Sequence, residues 1–263
     1  STYLLSSPII RKMSFTGSVP VGKALMKLAA DNMIRTTMEL GGHAPVLVFE
    51  DADLESTLDM AVAAKFRNAG QVCVSPTRFY VHESLHARFV EGFTARVNKI
   101  VVGNGLDENT QMGPLIHSRR RDAISDLVDD AVKNGATLNT GGEAIEGPGN
   151  FYKPTVLSDI PLSARIMNEE PFGPVALINS FNDFDAAMKE ANRLPFGLAA
   201  FAFTENTRRV NQLGEQLEAG MIGINSFGIS VPESPFGGIK ESGHGSEEGI
   251  EGLEACLVTK FIT

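Results

Sequence analysis

The sequence predicts an α/β fold with a parallel-rich sheet flanked by helices. Three observations carry that reading. Short β-rich runs alternate with amphipathic stretches, the signature of strands joined by helical crossovers. The longest amphipathic stretches place apolar residues three and four apart, the period of a helix. At 263 residues, with 43% hydrophobic and 21% charged residues, the chain is long and apolar enough for one large domain or two small ones.

"RKMSFTGS" (11–18) reads as a strand running into a turn, and "VGKALMKLAADNM" (21–33) as a helix with Leu25, Leu28 and Ala29 on one side. "TTMEL" and "APVLVF" read as strands separated by Gly41-Gly42. Residues 51–66 open with acids suited to a helix N-terminus and continue as an apolar stripe. "RFYVH" is a strand. A helix over 83–100 repeats Leu85, Phe89, Phe93 and Val97 every fourth position. Another over 117–136 ends at Asn134-Gly135, a natural C-cap. "GGEAIEGPGN" (141–150) is a surface loop. Helices follow near 182–193 and 205–218, with strands at 198–204 and 220–225. The tail "GLEACLVTKFIT" carries a closing β-rich run, and an unpaired terminal strand pairs with another element or subunit.

The net charge of -9 argues against a nucleic-acid footprint, which needs a basic face. No apolar run reaches membrane-span length, and "STYLLSSPIIRKMS" lacks a charged-then-apolar layout. Cys73 and Cys256 make no disulfide framework, so a cytoplasmic location is expected. With no CxxC or HExxH and five scattered histidines, no metal site is expected.

Several short segments invite chemistry. Taken alone, Cys73 reads either as a small core residue or as a nucleophile. Asn68, Gly70 and Gln71 before it are poor filler for a core strand, and a loop-to-strand junction exposes a thiol. A nucleophilic thiolate needs a base or an electropositive setting, which Arg67 would supply; Arg67 would equally bind an anionic substrate. In "MELGGHAP" (38–45), Glu39 is either a solvated strand-end carboxylate or a base whose apolar neighbours raise its pKa. "NEEPFGPV" (168–175) sets Glu170 beside a rigid turn, suited to ribose hydroxyls or simply a charged turn. "FTGSVPVG" (15–22) puts Gly17 and Ser18 before a helix, where a pyrophosphate can sit, though without a GxGxxG pattern. "SPFGGIKESGHG" (234–245) is a glycine-rich loop around Lys240. His43 reads as a loop histidine and Cys256 as a packing residue of the tail strand.

In this order, these segments resemble the hallmark stretches of the aldehyde dehydrogenase superfamily over essentially the whole chain. The 34 residues from Glu39 to Cys73 and the 97 from Cys73 to Glu170 fit as well. The resemblance implies that Cys73 attacks the aldehyde, that Glu39 activates the water that hydrolyses the thioester, and that Glu170 and Phe172 contact the nicotinamide ribose and ring side. It further implies that Gly17 and Ser18 form the pyrophosphate turn, that the cofactor is NAD or NADP, and that the enzyme is a homo-dimer or tetramer. "KFRNAGQVC" is similar to succinate-semialdehyde dehydrogenases and related semialdehyde enzymes. There the residue at Arg67 binds the substrate's distal carboxylate, with Ser230 as a second contact. "SPTRFYVHE" resembles enzymes acting on 2-oxoglutarate semialdehyde. Ser75 stands where some relatives carry a second cysteine, so no regulatory disulfide is expected.

On this resemblance, residues 1–40 are the C-terminal piece of the NAD(P)-binding domain, 41–251 the catalytic domain and 252–263 an oligomerisation strand. The chain then reads as the C-terminal portion of a longer enzyme, inactive or nearly so by itself. Two alternatives stand beside this: a CoA-acylating semialdehyde dehydrogenase, against which Glu39 counts, and a non-catalytic fold remnant serving as a binding module.

Overall fold

The computed structural model describes residues 2–263. A short helix α1 (Thr2–Leu5) precedes β1 (Lys12–Gly17), α2 (Val19–Ala30) and β2 (Arg35–Leu40). Then come β3 (Ala44–Val48), α3 (Leu54–Phe66), β4 (Pro76–His82), α4 (Glu83–Val97) and α5 (Ser118–Lys133). Three strands follow, β5 (Thr137–Thr140), β6 (Thr155–Ser158) and β7 (Val175–Phe181), and then α6 (Phe184–Ala191). The chain continues through β8 (Phe196–Gly197), β9 (Ala199–Phe203), α7 (Thr207–Gln216), β10 (Met221–Ile224), β11 (Ile239–Lys240), β12 (Gly243–His244) and α8 (Gly249–Glu254).

The strands build one large sheet, one small one and an antiparallel two-stranded ribbon of β8 and β11. The large sheet runs β10-β9-β3-β4-β7-β6-β5, parallel throughout except for β5 against β6. Its central strands are buried along almost their whole length, as expected where helices cover both faces of a parallel sheet. The small sheet runs β1-β2-β12, with β1 and β2 parallel and β12 returning antiparallel from far later in the chain, Gly243 against Glu39. It has its own core of Leu5, Leu25, Ala29, Ile34, Met38 and Leu40, separate from the large one.

Helix starts follow local capping chemistry. Asp53 caps α3 by accepting from the Ser56 amide at 3.2 Å, and Asn206 caps α7 through the amides of Arg208 and Arg209. Strands β5, β6 and β7 occupy a stretch in which the sequence reading assigned only the 141–150 loop.

Two expectations need correction. The tail 252–263 holds no strand: α8 ends at Glu254 and the chain beyond is irregular and exposed, with Phe261 at 85%. A strand requires a partner ladder, and nothing in the single chain offers one there. Cys256 accordingly lies exposed just past α8 and is not a packing residue.

Candidate active site

The site forms where the two sheets meet, at the carboxyl ends of β1 and β2 and the amino ends of β3, β4 and β7. The carboxyl edge of a parallel sheet is a usual place for ligands. Glu39 is the penultimate residue of β2, opposite Thr16 of β1 and Gly243 of β12. It is only 2% exposed, so it is not a solvated strand-end carboxylate. Both of its carboxylate oxygens are buried without a hydrogen-bond partner. Burial, and then the Glu247 charge, push its pKa up to about 8. It is thus a carboxyl group that changes protonation near neutral pH.

Cys73 owes its position to a strained turn. After α3 the chain passes through Asn68 (φ 51), Ala69 (φ 53) and Gly70 (φ 70), three successive left-handed residues. For the two that carry a Cβ this conformation costs roughly 1–2 kcal/mol each. At Gly70 a side chain would overlap the Gly173 carbonyl oxygen. Gln71 braces the loop: its Oε1 accepts from the Ile116 amide at 3.0 Å and its Nε2 donates to the Asn68 carbonyl at 3.0 Å. A bond from the Ser75 amide to the Val72 carbonyl at 3.0 Å then closes a turn that leaves Cys73 half-buried just before β4.

The electropositive setting expected from Arg67 is absent at the sulfur. Burial first, and then the charges of Glu170 and Glu39, push the thiol pKa up, while backbone N–H donors at Val74 and Cys73 act the other way. The charged groups acting on the thiol are carboxylates, so Cys73 rests protonated.

Gly41-Gly42 explains how the three groups come together. A Cβ on Gly41 would overlap the Glu170 carboxylate, and one on Gly42 would stand 3.0 Å from the Cys73 carbonyl oxygen. Only residues without side chains let β2, the Cys73 turn and the Glu170 loop close on one point. The Gly42 amide donates to Glu170 Oε1 at 3.0 Å. Burial raises the Glu170 pKa to about 6 against this bond and the charges of Arg120 and Lys65. Phe172, two residues on, is half-buried with φ 46.

The remaining predicted residues lie further out. Gly17 and Ser18 are exposed at the start of α2, and the Ser18 side chain makes no cap bond. Arg67 is exposed and lines two clefts. One, of about 440 Å³, is walled by Met60, Val74, Phe201 and Phe227 beside the Cys73 turn. The other, of about 510 Å³, adds Arg96 and Lys99. Among the described residues the Arg67 guanidinium has no ion-pair or hydrogen-bond partner. Ser226, Phe227 and Gly228 reach the first cleft, but Ser230 does not line it; its hydroxyl lies 3.4 Å from both carboxylate oxygens of Glu248.

His43 lies in the connection between β2 and β3, as the sequence predicts. It is buried, donates from Nε2 to the Ile166 carbonyl at 2.8 Å, and burial holds its pKa well below the usual range. Sequence reasoning gave no role to Glu247, Lys65 or Arg78. A lysine late in an apolar helix and an arginine opening an apolar strand are the only local signs of the latter two. Among the described residues no cluster of three His, Cys, Asp or Glu side chains is placed to hold a metal ion. No helix there is long and apolar enough to cross a membrane.

Comparison with known protein families matches residues 1–262 to the Aldehyde dehydrogenase family. The chain belongs to that family. Among curated relatives, 4-(hydroxymethyl)benzenesulfonate dehydrogenase TsaD1 of Comamonas testosteroni is 48% identical over 100% of this chain and 54% of its own. The succinate-semialdehyde dehydrogenase [NADP(+)] GabD of Escherichia coli K12 is 43% identical over 98% of this chain and 54% of its own. Among solved structures, an NADP-dependent enzyme of E. coli superposes with a TM-score of 0.95 at 42% identity, over 97% of this chain and 53% of that one. The chain spans about half the length of the curated relatives it matches. Aldehyde dehydrogenases use NAD or NADP.

Proposed function

We propose that this chain is the catalytic portion of an NAD(P)-dependent aldehyde dehydrogenase that oxidises a carboxylate-bearing semialdehyde to the acid. The convergence of Glu39, Cys73 and Glu170 on Gly41-Gly42 carries this reading. Cys73 passes its proton to water, its sulfur adds to the aldehyde carbon, and the former carbonyl oxygen takes up a proton from water, forming a thiohemiacetal. NAD(P)+, when bound, would supply the hydride acceptor for that carbon; with the hydroxyl proton passed to water, the acyl group stays on Cys73 as a thioester. Glu39 takes a proton from a water that attacks the thioester carbon; the acid departs and the thiol is restored.

The residues present fit the cofactor. Only one Glu170 oxygen is taken by the Gly42 amide, which leaves the other to accept from a ribose hydroxyl. Ser18, with its side chain free of cap bonds, opens the 12-residue helix α2 and suits a pyrophosphate. Phe172 would flank the nicotinamide. We assign residues 1–40 to the cofactor domain, 41–251 to the catalytic domain and the exposed 252–263 segment to assembly of a homo-dimer or tetramer. We place the enzyme in the cytoplasm on the strength of its two free cysteines.

Arg67 is the substrate contact, since its guanidinium is free and its cleft adjoins the Cys73 turn. Arg67→Ala in the intact enzyme is expected to raise KM for succinic semialdehyde by about 10- to 100-fold, the worth of a charged hydrogen bond, with kcat little changed. The same variant should handle an uncharged aldehyde like the parent. Equal effects on both substrates would remove Arg67 from substrate binding. By itself the 263-residue chain is expected to show little or no NADH formation from succinic semialdehyde and NAD; ordinary enzymatic turnover in that assay would refute this.

A further inference from the structure

Lys65 lies in the last turn of α3 with none of its surface exposed. Its Nζ donates to Ser75 Oγ at 3.2 Å and Thr77 Oγ1 at 3.3 Å. Both acceptors are neutral hydroxyls at the end of the Cys73 turn, and the Thr77 hydroxyl donates onward to the Ser75 carbonyl at 3.0 Å. A buried ammonium with hydroxyl ligands alone is unfavourable unless an anion faces it. Methionine would fill the same volume without that penalty. The anion is Glu170, from the connection between β6 and β7: its charge supports the protonated lysine, and the lysine's charge supports the carboxylate. Burial still brings the Lys65 pKa down to about 7. The other titratable or charged groups facing this pair are His43, which burial keeps neutral and which feels both Lys65 and Arg78, Arg120 of α5, and Cys73.

We propose that Lys65 is a positioning residue: its buried ammonium braces the turn that presents Cys73 and adds to Arg120 a second positive charge acting on Glu170. It touches neither substrate nor cofactor. Its meaning for the reaction rests on reading Glu170 as the ribose contact; the coupling itself does not. A brace of hydroxyls alone would fix the turn but leave Glu170 with only the Gly42 amide and Arg120 to favour its charged form. The lysine links the nucleophile's backbone to the protonation of the proposed cofactor carboxylate.

The test is a pair of reciprocal titrations by NMR on this chain, without aldehyde or cofactor. With carboxyl-labelled glutamate, the Glu170 midpoint, near 6 in the parent, is expected to rise by about one pH unit in Lys65→Met. With ε-labelled lysine, the Lys65 midpoint, near 7, is expected to fall in Glu170→Gln, because coupling is mutual. Amide exchange of Cys73–Ser75 should accelerate in Lys65→Met by about ten-fold or more, as in local opening. Should Lys65→Met fail to fold, the Glu170→Gln arm decides alone. Unmoved midpoints would overturn the proposal even if exchange accelerated, since a purely structural lysine does that too. An intact coupling in an enzyme that oxidises no aldehyde would sink the proposed function and leave this inference standing.

Discussion

Replacing Glu39 by glutamine is expected to lower semialdehyde turnover in the intact enzyme by about 10²- to 10⁴-fold, the usual contribution of a positioned general base. The loss falls on hydrolysis, so a first burst of NADH should survive and the thioester should accumulate on Cys73. The parent's pH profile follows from the same carboxyl group. Below its pKa of about 8 Glu39 is protonated and cannot accept a proton, so turnover rises as pH increases through that value. Glu247→Gln removes a charge that raises Glu39, and should move the rising limb to lower pH. Glu39→Gln also removes one of the anions that hold the thiol up. Iodoacetamide should therefore alkylate the variant's Cys73 faster at pH 9, even as catalysis fails. Slower alkylation together with lost turnover would indicate a disturbed turn, and would count against the base.

The second large effect concerns stability. Arg78 is buried at the start of β4 and donates from Nε to the His43 carbonyl at 2.9 Å. Its Nη atoms donate to the carbonyls of Glu190 at 3.2 Å and Ala191 at 3.1 Å, and to the Tyr80 hydroxyl at 3.2 Å. It thus caps the last carbonyls of α6 and ties that helix to the entry of β3, next to Gly41-Gly42. Glu190 completes the network, accepting from the Tyr80 hydroxyl at 3.0 Å. Arg78→Met would strand the His43, Glu190 and Ala191 carbonyls, while the Glu190 carboxylate keeps its ion pair to Arg193 at 2.8 Å. A loss of about 3–5 kcal/mol is expected from the unsatisfied buried acceptors, against roughly 5–15 kcal/mol available to a whole domain. Urea denaturation checks this; a change under about 1 kcal/mol would show that water replaces the guanidinium.

The sequence discloses this fold unevenly, for physical reasons. Helices α3, α4 and α5 are legible because their apolar residues recur at helical spacing and Asp53 and Asn134 sit at their ends. Strands β5, β6 and β7 are not, since short apolar runs around prolines carry no period of their own. The tail reads as a strand by composition, but a ladder is a property of two segments, and the single chain offers one. The same division applies to the site. Cys73, Glu39 and Glu170 stand out because glycines, which a core would not choose, surround them. What the sequence hides is how they are placed relative to one another. Glu39 is buried partly because β12 returns to pair with β2. Carboxylate charge acts on the thiol because the Glu170 loop closes on Gly41-Gly42. Lys65 looks like a solvated helix residue until β4 covers it. Such features depend on contacts between residues far apart in sequence, which no local pattern encodes.

The central claim is that the substrate's acyl group is carried on Cys73. The most direct measurement is rapid acid quenching of the intact Glu39→Gln enzyme with succinic semialdehyde and NAD, followed by mass analysis of the peptide that contains Cys73. The predicted result is an adduct of the succinyl mass on that peptide, absent when Cys73 is also replaced by alanine. Turnover undiminished by Cys73→Ala in the otherwise unaltered enzyme, with no adduct on the peptide, would contradict it.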